Sequence, residues 1–465
     1  MKLFKKILIA NRGEIAVRVI RACRELGIPT VAIFSDIERD ALHVSLADES
    51  VCIGPASPTH SYLNIPAILS AAELTDSEAV HPGYGFLAEN PQFAEACATS
   101  GITFIGPTVE NLRIGGDKAK ARQVMKRRGI PVVPGSDGPV AADDIAARII
   151  KKIGFPVILK ASAGGGGRGM RIVREEQEIA QAFHLAQREA LASFGTGELY
   201  IEKYLASIHH VEVQIIADGK GNIIHLGERD CSIQRRHQKI IEESPSPLST
   251  EKFRKRLGEL AIRAAKAMKY RNAGTIEFIV DQDLAIYFME VNTRIQVEHP
   301  VTEELTGIDI IKEQIRVAAG QPCSFTQGQI RFNGHVIEAR INAEDPENFI
   351  PSPGRITSFI PPGGPGVRID TAAYAGWKVP SQYDSMIAKV IVRSRTRDEA
   401  IVRMRRALDE FTVEGIKTTI PFLRKVFSHP DFVRGSFNTG FVERMGVRPD
   451  SEAPVNSGSP KESTD

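Results

Sequence analysis

The chain has 465 residues, 42% of them hydrophobic, and its 59 basic and 57 acidic residues leave a formal charge of +2. This near balance argues against a nucleic acid or an anionic membrane as the main partner. The five cysteines include no CxxC pair, so we expect a reducing, cytoplasmic environment without a disulfide framework or a zinc–thiolate site. No apolar run approaches the roughly 18 residues of a membrane span. At roughly 150 residues per domain, the length predicts about three domains.

The N-terminal segment predicts a parallel sheet. Residues 5–10 form a buried strand, apolar positions at helical spacing follow from Ile15 to Leu26, and TVAIFSD forms a second strand. Strand–helix–strand order is typical of a doubly wound domain. Asp36 stands where a ribose-binding acid would, but the first turn reads NRGE and not GxGxxG, so dinucleotide binding is disfavoured.

A glycine-rich hairpin is predicted in FPVILKASAGGGGRGMRIV. One strand ends at Lys160, glycines fill 164–167 and 169, and a second strand begins at Met170. A Rossmann turn would be followed by a helix, and a P-loop would close with GK[ST], so neither fits. Glycine backbone can approach phosphates closely, which favours a flexible flap over a nucleotide. The alternative is a mobile surface loop without a ligand.

Polar and apolar residues alternate after the predicted hairpin TIEFIV–DQD–AIYFMEV. If this stretch is extended, its polar side chains share one face: Glu290, Asn292, Arg294, Gln296 and Glu298. Glu277 on the partner strand should come close to Glu290, and carboxylate and amide oxygens suit Mg²⁺. With the glycine flap, this set predicts an ATP site. The alternative for these polar residues is the solvated face of an edge strand. A separate basic run, residues 232–239, is either a solvated patch or a source of phosphate contacts.

Seven long motifs occur in order along the chain: KILIANRGEIAVRVIRA, HPGYGFLAEN, GDKAKAR, KASAGGGGRGM, ERDCSIQRRHQK, MEVNTRIQVEHPVTE and EARINAEDP. Together they closely resemble biotin carboxylase, the ATP-grasp component of biotin-dependent carboxylases. The resemblance covers about residues 3–444. It implies ATP- and bicarbonate-dependent carboxylation of biotin on a carrier protein, through carboxyphosphate.

The resemblance implies an α/β and α+β multi-domain architecture. A doubly wound parallel α/β domain would span residues 1–115, and an ATP-grasp domain would span 116–330, with a glycine-rich lid at about 132–203. An α+β C-terminal domain would span 331–446. Residues 447–465 lack periodicity and are rich in Ser, Pro, Glu and Lys, which predicts a disordered tail.

Site residues are also implied by the resemblance. Those for ATP are Lys118, Lys160, the lid residues Gly166 and Gly167, Glu202, Lys203, Tyr204, Leu205, His210, Gln234, His237, Glu277 and Glu290. Those for Mg²⁺ or Mn²⁺ are Glu277, Glu290 and Asn292. Those for bicarbonate are Lys239, Arg294, Gln296, Val297 and Glu298, and those for biotin are Tyr84, Arg294 and Arg340.

Four of these residues are implied to be catalytic: Lys239, Arg294, Glu298 and Arg340. Glu298 would be the general base, since bicarbonate must lose a proton to become a competent nucleophile. Arg340 would stabilise the biotin enolate, because an oxyanion needs a fixed cation. The alternative for Arg340 is a structural ion pair with Glu338 or Asp345.

The implied partners are a biotin carboxyl carrier protein on a separate chain, carboxyltransferase subunits and a second copy of this chain. Ala267-Met268-Lys269 resembles the biotin-acceptor motif, but Tyr270 replaces its second methionine and Lys269 lies on a helical pattern that begins near Phe253, so we expect no biotin on this chain. The acyl acceptor, acetyl-CoA or pyruvate, stays open. Alternative functions are another carboxyphosphate-forming ligase and a catalytically silent ATP-binding regulator. A nicotinamide-dependent oxidoreductase is disfavoured by the NRGE turn.

Overall fold

A computed structural model describes residues 3–161 and 170–446. The predicted tail and the lid glycines, including Gly166 and Gly167, lie outside the described residues. All five cysteines are described and unpaired. None of the helices in the described ranges is long and apolar enough to span a membrane.

The N-terminal region is built on a parallel sheet with strand order β3-β2-β1-β4-β5, as the strand–helix–strand pattern predicts. Its strands are β1 (Ile7–Ile9), β2 (Thr30–Phe34), β3 (Glu49–Cys52), β4 (Ala79–His81) and β5 (Thr103–Phe104). Its helices are α1 (Gly13–Glu25), α2 (Leu42–Leu46), α3 (Ile65–Leu74), α4 (Pro91–Thr99) and α5 (Val109–Gly116). The central strand β1 is fully buried because helices cover both faces of such a sheet. A short turn after the central strand leads into helix α1, which begins at Gly13.

A second, small sheet follows, with antiparallel order β7-β6-β8. The elements of this region are α6 (Lys118–Arg127), α7 (Asp143–Ile153), β6 (Val157–Ala161), β7 (Arg171–Val173), α8 (Ile179–Phe194) and β8 (Leu199–Lys203). The strands predicted on either side of the glycines, β6 and β7, do pair with each other. Lys160 lies near the end of β6 and faces Tyr200 of β8 in the register.

The next segment alternates long strands and helices. It contains β9 (His209–Ala217), β10 (Ile223–Arg235), β11 (Gln238–Ser244), α9 (Glu251–Ala267), β12 (Asn272–Val280), β13 (Ile286–Asn292), α10 (His299–Thr306), α11 (Ile310–Ala318) and β14 (His335–Asn342). The predicted hairpin TIEFIV–DQD–AIYFMEV is confirmed, since β12 pairs with β13 in antiparallel fashion, and β9 and β10 form another antiparallel pair.

The C-terminal segment contains β15 (Gly354–Arg355), β16 (Ser358–Ile360), β17 (Val367–Thr371), β18 (Lys378–Val379), β19 (Met386–Ser394), α12 (Arg397–Glu410), β20 (Thr412–Glu414), α13 (Ile420–Ser428), α14 (Pro430–Val433) and α15 (Phe441–Arg444). Short 3-10 turns lie at Asp36–Glu38, Pro58–His60, Glu176–Glu178 and Gln327–Gln329. The predicted α+β character is confirmed by strands that pack against helices α12 and α13 in one core.

One eight-stranded sheet runs through both of these segments, in the order β13-β12-β9-β10-β11-β14-β19-β17. Strand β14 pairs with β11 on one side and with β19 on the other. The domain boundary predicted near residue 330 therefore falls between strands of a single sheet, and the domain limits stay a prediction. This continuity matters for the site, because it fixes β11, β12 and β14 relative to one another.

Candidate active site

A deep cleft of about 1650 Å³ opens between these regions. It is lined by every predicted site residue that the structure describes: Tyr84, Lys118, Lys160, Glu202, Lys203, Tyr204, Leu205, His210, Gln234, His237, Lys239, Glu277, Glu290, Asn292, Arg294, Gln296, Val297, Glu298 and Arg340. These residues are spread over more than 250 positions of sequence. The fold thus brings every described member of the predicted set to one cleft.

Lys239 lies at the centre of the polar part of the cleft. Lys239 belongs to strand β11, and its ammonium contacts three buried carboxylates. Nζ lies 2.5 Å from Glu212, 2.9 Å from Glu277 and 2.7 Å from Glu298. Burial would lower the pKa of Lys239, but the three carboxylates outweigh it and raise the pKa well above its ordinary value. Lys239 is therefore a permanent cation.

Glu298 lies in the turn that precedes helix α10 and is held between two cations. Its Oε1 accepts from Lys239 at 2.7 Å and its Oε2 accepts from Nη2 of Arg340 at 2.9 Å. Burial would raise the pKa of Glu298, but Lys239, Arg340 and Arg229 outweigh it and hold the pKa well below the usual range. The carboxylate is ionised and poorly basic in this arrangement.

Arg340 is positioned by strand β14 and by a second buried carboxylate. Its Nε donates to Glu242 at 2.7 Å, and Glu242 comes from the neighbouring strand β11. The alternative prediction for Arg340, an ion pair with Glu338 or Asp345, is wrong. Asp345 pairs with Lys417 at 2.6 Å, and Glu338 has no hydrogen-bond partner among the described residues. Arg340 instead joins Glu242 to Glu298.

The predicted metal residues lie on the hairpin of β12 and β13. Glu277 and Glu290 are direct partners in the register, as predicted. Oε1 of Glu277 accepts from Nδ2 of Asn292 at 2.7 Å, and its Oε2 lies 2.7 Å from Nε2 of His210. Glu290 pairs with Lys118 at 2.6 Å. Glu277 and Asn292 are buried, so the alternative of a solvated edge face is wrong for this pair.

Beyond Asn292 the chain is not extended, which corrects the prediction from alternation. Strand β13 ends there, and a turn leads into α10. Glu89 explains part of this change, because its carboxylate accepts from the backbone N–H of Thr293 at 2.9 Å and from Nε of Arg294 at 2.9 Å. Arg294 also donates to the side chain of Gln296. The polar side chains still converge, but through a turn and not along a strand.

The Val297 peptide is fixed by Lys389, a fully buried lysine on β19. Its Nζ donates to the Val297 carbonyl at 2.9 Å and lies 3.0 Å from Glu14. Tyr84 donates its hydroxyl to the same Glu14 carboxylate. Glu14 and Lys389 thus connect the tyrosine to the turn that holds Glu298.

The other end of the cleft carries the remaining cations. Lys160 and Arg122 both pair with Glu202, at 2.5 Å and 2.8 Å. Lys203 instead donates to the backbone carbonyls of Gly154 and Phe155, so its ammonium supports the loop before β6. Tyr204, Leu205 and His237 line the cleft nearby.

His210 and Gln234 lie between the two ends, next to Glu277. Nε2 of Gln234 lies 3.3 Å from Nδ1 of His210. Burial would lower the pKa of His210, but Glu277 outweighs it and raises the pKa. Glu277 therefore favours the protonated form of this histidine beside the predicted metal residues.

Sequence reasoning missed several supporting residues: Glu14, Glu89, Arg122, Glu212, Arg229, Glu242 and Lys389. Arg229, for example, is fully buried and binds Glu212 at 2.6 Å. A signal did exist for some of them. Glu212 in HVEVQII and Lys389 in MIAKVIV are single charges in apolar strands, and a buried charge of that kind requires a partner.

Family models and relatives match nearly the whole chain. The biotin carboxylase N-terminal domain matches residues 3–112, the carbamoyl-phosphate synthase L chain ATP-binding domain matches 117–325, and the biotin carboxylase C-terminal domain matches 338–444. Biotin carboxylase 1 of Bacillus subtilis is 56% identical over 447 residues, which are 96% of this chain and 99% of that protein. A pyruvate carboxylase subunit of Methanothermobacter thermautotrophicus is 52% identical, with 96% of this chain and 91% of that protein covered.

A solved structure shows the same fold. It is the biotin carboxylase domain dimer of Hydrogenobacter thermophilus 2-oxoglutarate carboxylase, in complex with MgADP, ADP and bicarbonate. It is 52% identical to this chain, with a TM-score of 0.91 over 96% of this chain and 98% of that one. The chain therefore belongs to the biotin carboxylase family of ATP-dependent ligases.

Proposed function

We propose that this chain uses ATP and bicarbonate to carboxylate biotin, by way of carboxyphosphate, with ADP and phosphate as the other products. The observation that carries the proposal is the carboxylate of Glu298 held between Lys239 and Arg340 inside the cleft. This arrangement suits a reaction that deprotonates one substrate and stabilises an oxyanion on another. Glu298 would be the base, Lys239 the anion-binding cation and Arg340 the guanidinium that stabilises the oxyanion. The family membership supports the same reaction.

We assign the nucleotide to the end of the cleft that contains Lys118, Lys160 and Glu202. Both lysines line the cleft, Lys118 paired with Glu290 and Lys160 paired with Glu202. The triphosphate chain would replace the carboxylates as the partner of these ammonium groups. Glu202, Lys203, Tyr204 and Leu205 lie at the end of β8, where we place the adenine.

The metal residues Glu277, Glu290 and Asn292 fit Mg²⁺ or Mn²⁺ by their chemistry. They offer carboxylate and amide oxygens beside the proposed phosphate site, the donor type that these ions prefer. His210, Glu212 and Glu277 also lie within ligating distance of one another, but Lys239 and Arg229 already neutralise Glu212. When bound, the metal ion would neutralise charge on the transferred phosphoryl group.

Bicarbonate binding would change the basicity of Glu298. We place the anion against Arg294, Gln296, the Val297 backbone and Lys239. There it would take a share of the Lys239 hydrogen bonds and add a negative charge near Glu298, and both effects raise the pKa of a carboxylate. Glu298 would then accept the bicarbonate proton. A bicarbonate oxygen would then attack the γ-phosphorus, which breaks the bond to the β-phosphate oxygen, releases ADP and forms carboxyphosphate.

Biotin would occupy the space between Tyr84 and Arg340. Its ureido nitrogen becomes nucleophilic only on losing a proton, and the negative charge that develops on the ureido oxygen needs a cation in place. The guanidinium of Arg340 keeps its charge because Glu242 and Glu298 outweigh the effect of burial and raise its pKa. Glu242 holds the guanidinium from the strand side.

We propose three further properties. The biotin is carried by a separate carrier protein, and carboxyltransferase subunits then use the carboxybiotin, as part of an acetyl-CoA carboxylase or of a two-subunit pyruvate carboxylase. The chain forms a homodimer, which the dimer of the Hydrogenobacter relative supports. It works in the cytoplasm, which the five unpaired cysteines support.

The test is the dependence of ATP hydrolysis on bicarbonate. We expect the purified chain to hydrolyse ATP only with bicarbonate and Mg²⁺ or Mn²⁺, and faster when free biotin is added. Equal hydrolysis in bicarbonate-free buffer would overturn the proposal. A different carboxyphosphate-forming ligase, which the match of residues 117–325 to a carbamoyl-phosphate synthase domain favours, would need bicarbonate but would not respond to biotin. A silent regulator would show neither activity.

A further inference from the structure

Glu338 is a buried carboxyl group on the same strand as Arg340, β14. The two residues are two positions apart on β14, so their side chains share one face of the sheet. Glu338 has no exposed surface, and neither of its oxygens has a hydrogen-bond partner among the residues that the structure describes. A buried ionised carboxylate without a partner is strongly disfavoured.

The neighbours of Glu338 increase this cost. Glu242 is its direct partner in the register of β11 and β14, and residues in that relation have Cβ atoms about 4.5–5.5 Å apart. Glu242 is also fully buried, and one of its own oxygens has no hydrogen-bond partner within residues 3–161 and 170–446. Both carboxylates lie near the charge of Arg340, but among the described residues its guanidinium hydrogen-bonds to Glu242 and Glu298 and not to Glu338.

The two cations that act on Glu338 most strongly, Lys389 and Arg340, already have other partners in the described part of the chain. The charged groups that face Glu338 are Arg340 on its own strand, Glu242 on β11, Lys389 on β19 and Glu298 in the turn before α10. Lys389 is already bound to Glu14 and to the Val297 carbonyl. Burial together with Glu242 and Glu298 raises the pKa of Glu338 well above its ordinary value, against the opposing effect of Lys389 and Arg340.

We propose that Glu338 is a positioning residue that stays protonated in the working enzyme. Because it is then neutral, it does not compete with Glu298 and the biotin ureido oxygen for the charge of Arg340. The proposal rests on the function proposed above for Arg340. Ionisation of Glu338 would repel Glu242 and draw the guanidinium back toward β14. Biotin carboxylation should therefore fall on the alkaline side as Glu338 loses its proton.

The first experiment compares the pH profile of biotin carboxylation in the wild type and in Glu338→Gln. The amide keeps the size of the protonated acid and cannot ionise. We expect the variant to remain within about threefold of wild type at neutral pH and its alkaline limb to move upward by about one pH unit or more. An unchanged alkaline limb, or a loss of about tenfold at neutral pH, would overturn the proposal.

A matched control is Glu242→Gln, the opposite residue of the same pair. Because Glu242 bonds to Arg340, its substitution should lower biotin carboxylation at neutral pH by about tenfold, the scale of one charge-assisted hydrogen bond. Equal behaviour of the two variants would mean that both acids are merely structural. If Glu338→Gln fails to fold, Glu338→Met takes its place, since the proposal requires only a neutral side chain of similar volume.

A second measurement does not depend on activity. The infrared carbonyl stretch of a protonated carboxylic acid should be present in the wild type at neutral pH and weaker in Glu338→Gln by the contribution of one group. Equal absorption in both proteins would show that Glu338 is ionised. The bicarbonate dependence of ATP hydrolysis in the wild type tests the proposed function separately, so failure of one is distinguishable from failure of the other.

Discussion

Lys239 and Glu298 form a buried ion pair, with Nζ 2.7 Å from Oε1 and only 1% of the Glu298 side chain exposed. This contact gives the proposed general base a resting state in which it is ionised but weakly basic, since the nearby cations hold its pKa well below the usual range. A bound anion that competes for Lys239 would reverse this effect. The base would thus become effective only when its substrate is present.

Glu298→Gln should nearly abolish turnover while ATP binding survives. The amide keeps the size of the side chain but cannot accept a proton, and general-base catalysis is typically worth about 10²–10⁴-fold. Bicarbonate-dependent ATP hydrolysis and equilibrium nucleotide binding measure the two effects. Glu259→Gln, at an exposed position of α9, is the control and should match the wild type. Retention of most of the activity would place the base elsewhere.

Arg340→Ala should separate two activities. Biotin carboxylation should fall by about 10²–10³-fold, because one donor aimed at the developing oxyanion is lost. Slow bicarbonate-dependent ATP hydrolysis without biotin should persist, and Arg340→Lys should rescue carboxylation poorly, because an ammonium lacks the forked donors. Arg340 bonds to two buried carboxylates, so the Tm should fall whatever its role. Parallel loss of both activities would count against the assignment.

The folding of the first region was predictable because its signal is local. Apolar periodicity and turn residues predict β1, α1 and β2, and the hairpins of β9–β10 and β12–β13 follow from short turns between strands. The pairing of β11 with β14 was not predictable in this way. Those strands are separated by about ninety residues, and nothing in either strand's own pattern specifies its neighbour.

The site was predictable as a set of residues but not as a set of contacts. The motifs contain Lys239, Glu298 and Arg340, yet the residues that pair with them, such as Glu212 and Glu242, come from other strands, and the sequence does not specify which charges will meet. The alternation after Glu290 was misleading for a related reason. The alternating polar side chains line the cleft from a turn, but the same alternation is the pattern expected of a strand, so periodicity alone cannot distinguish the two.

The chain should carry no biotin on Lys269. Helix α9 ends at Ala267, and Lys269 follows it in an exposed turn with φ +49°, so it does not lie within the helix as the pattern suggested. Met268 and Tyr270 on either side are buried, which leaves the acceptor sequence without a free hairpin. A streptavidin blot of protein coexpressed with a biotin ligase should be blank. A band at the size of the chain that Lys269→Arg removes would refute the separate carrier.

Three histidines buried in neutral form should each lower the free energy of unfolding as the pH falls from about 6.5 toward 4. Burial lowers the pKa values of His43, His81 and His299 to about 4, 3 and 3. The unfolded chain binds protons at these side chains near pH 6.5, whereas the folded chain does not, so their stabilising effect is complete above that pH and is lost below it. Each contributes a slope of about 1.4 kcal/mol per pH unit. Urea unfolding between about pH 6 and pH 5 should give a slope of the unfolding free energy against pH that is smaller in His43→Gln than in the wild type by about one such contribution. His184→Gln, on the exposed face of α8, should leave the slope unchanged. An undiminished slope in His43→Gln would mean that His43 binds its proton equally well in the folded chain.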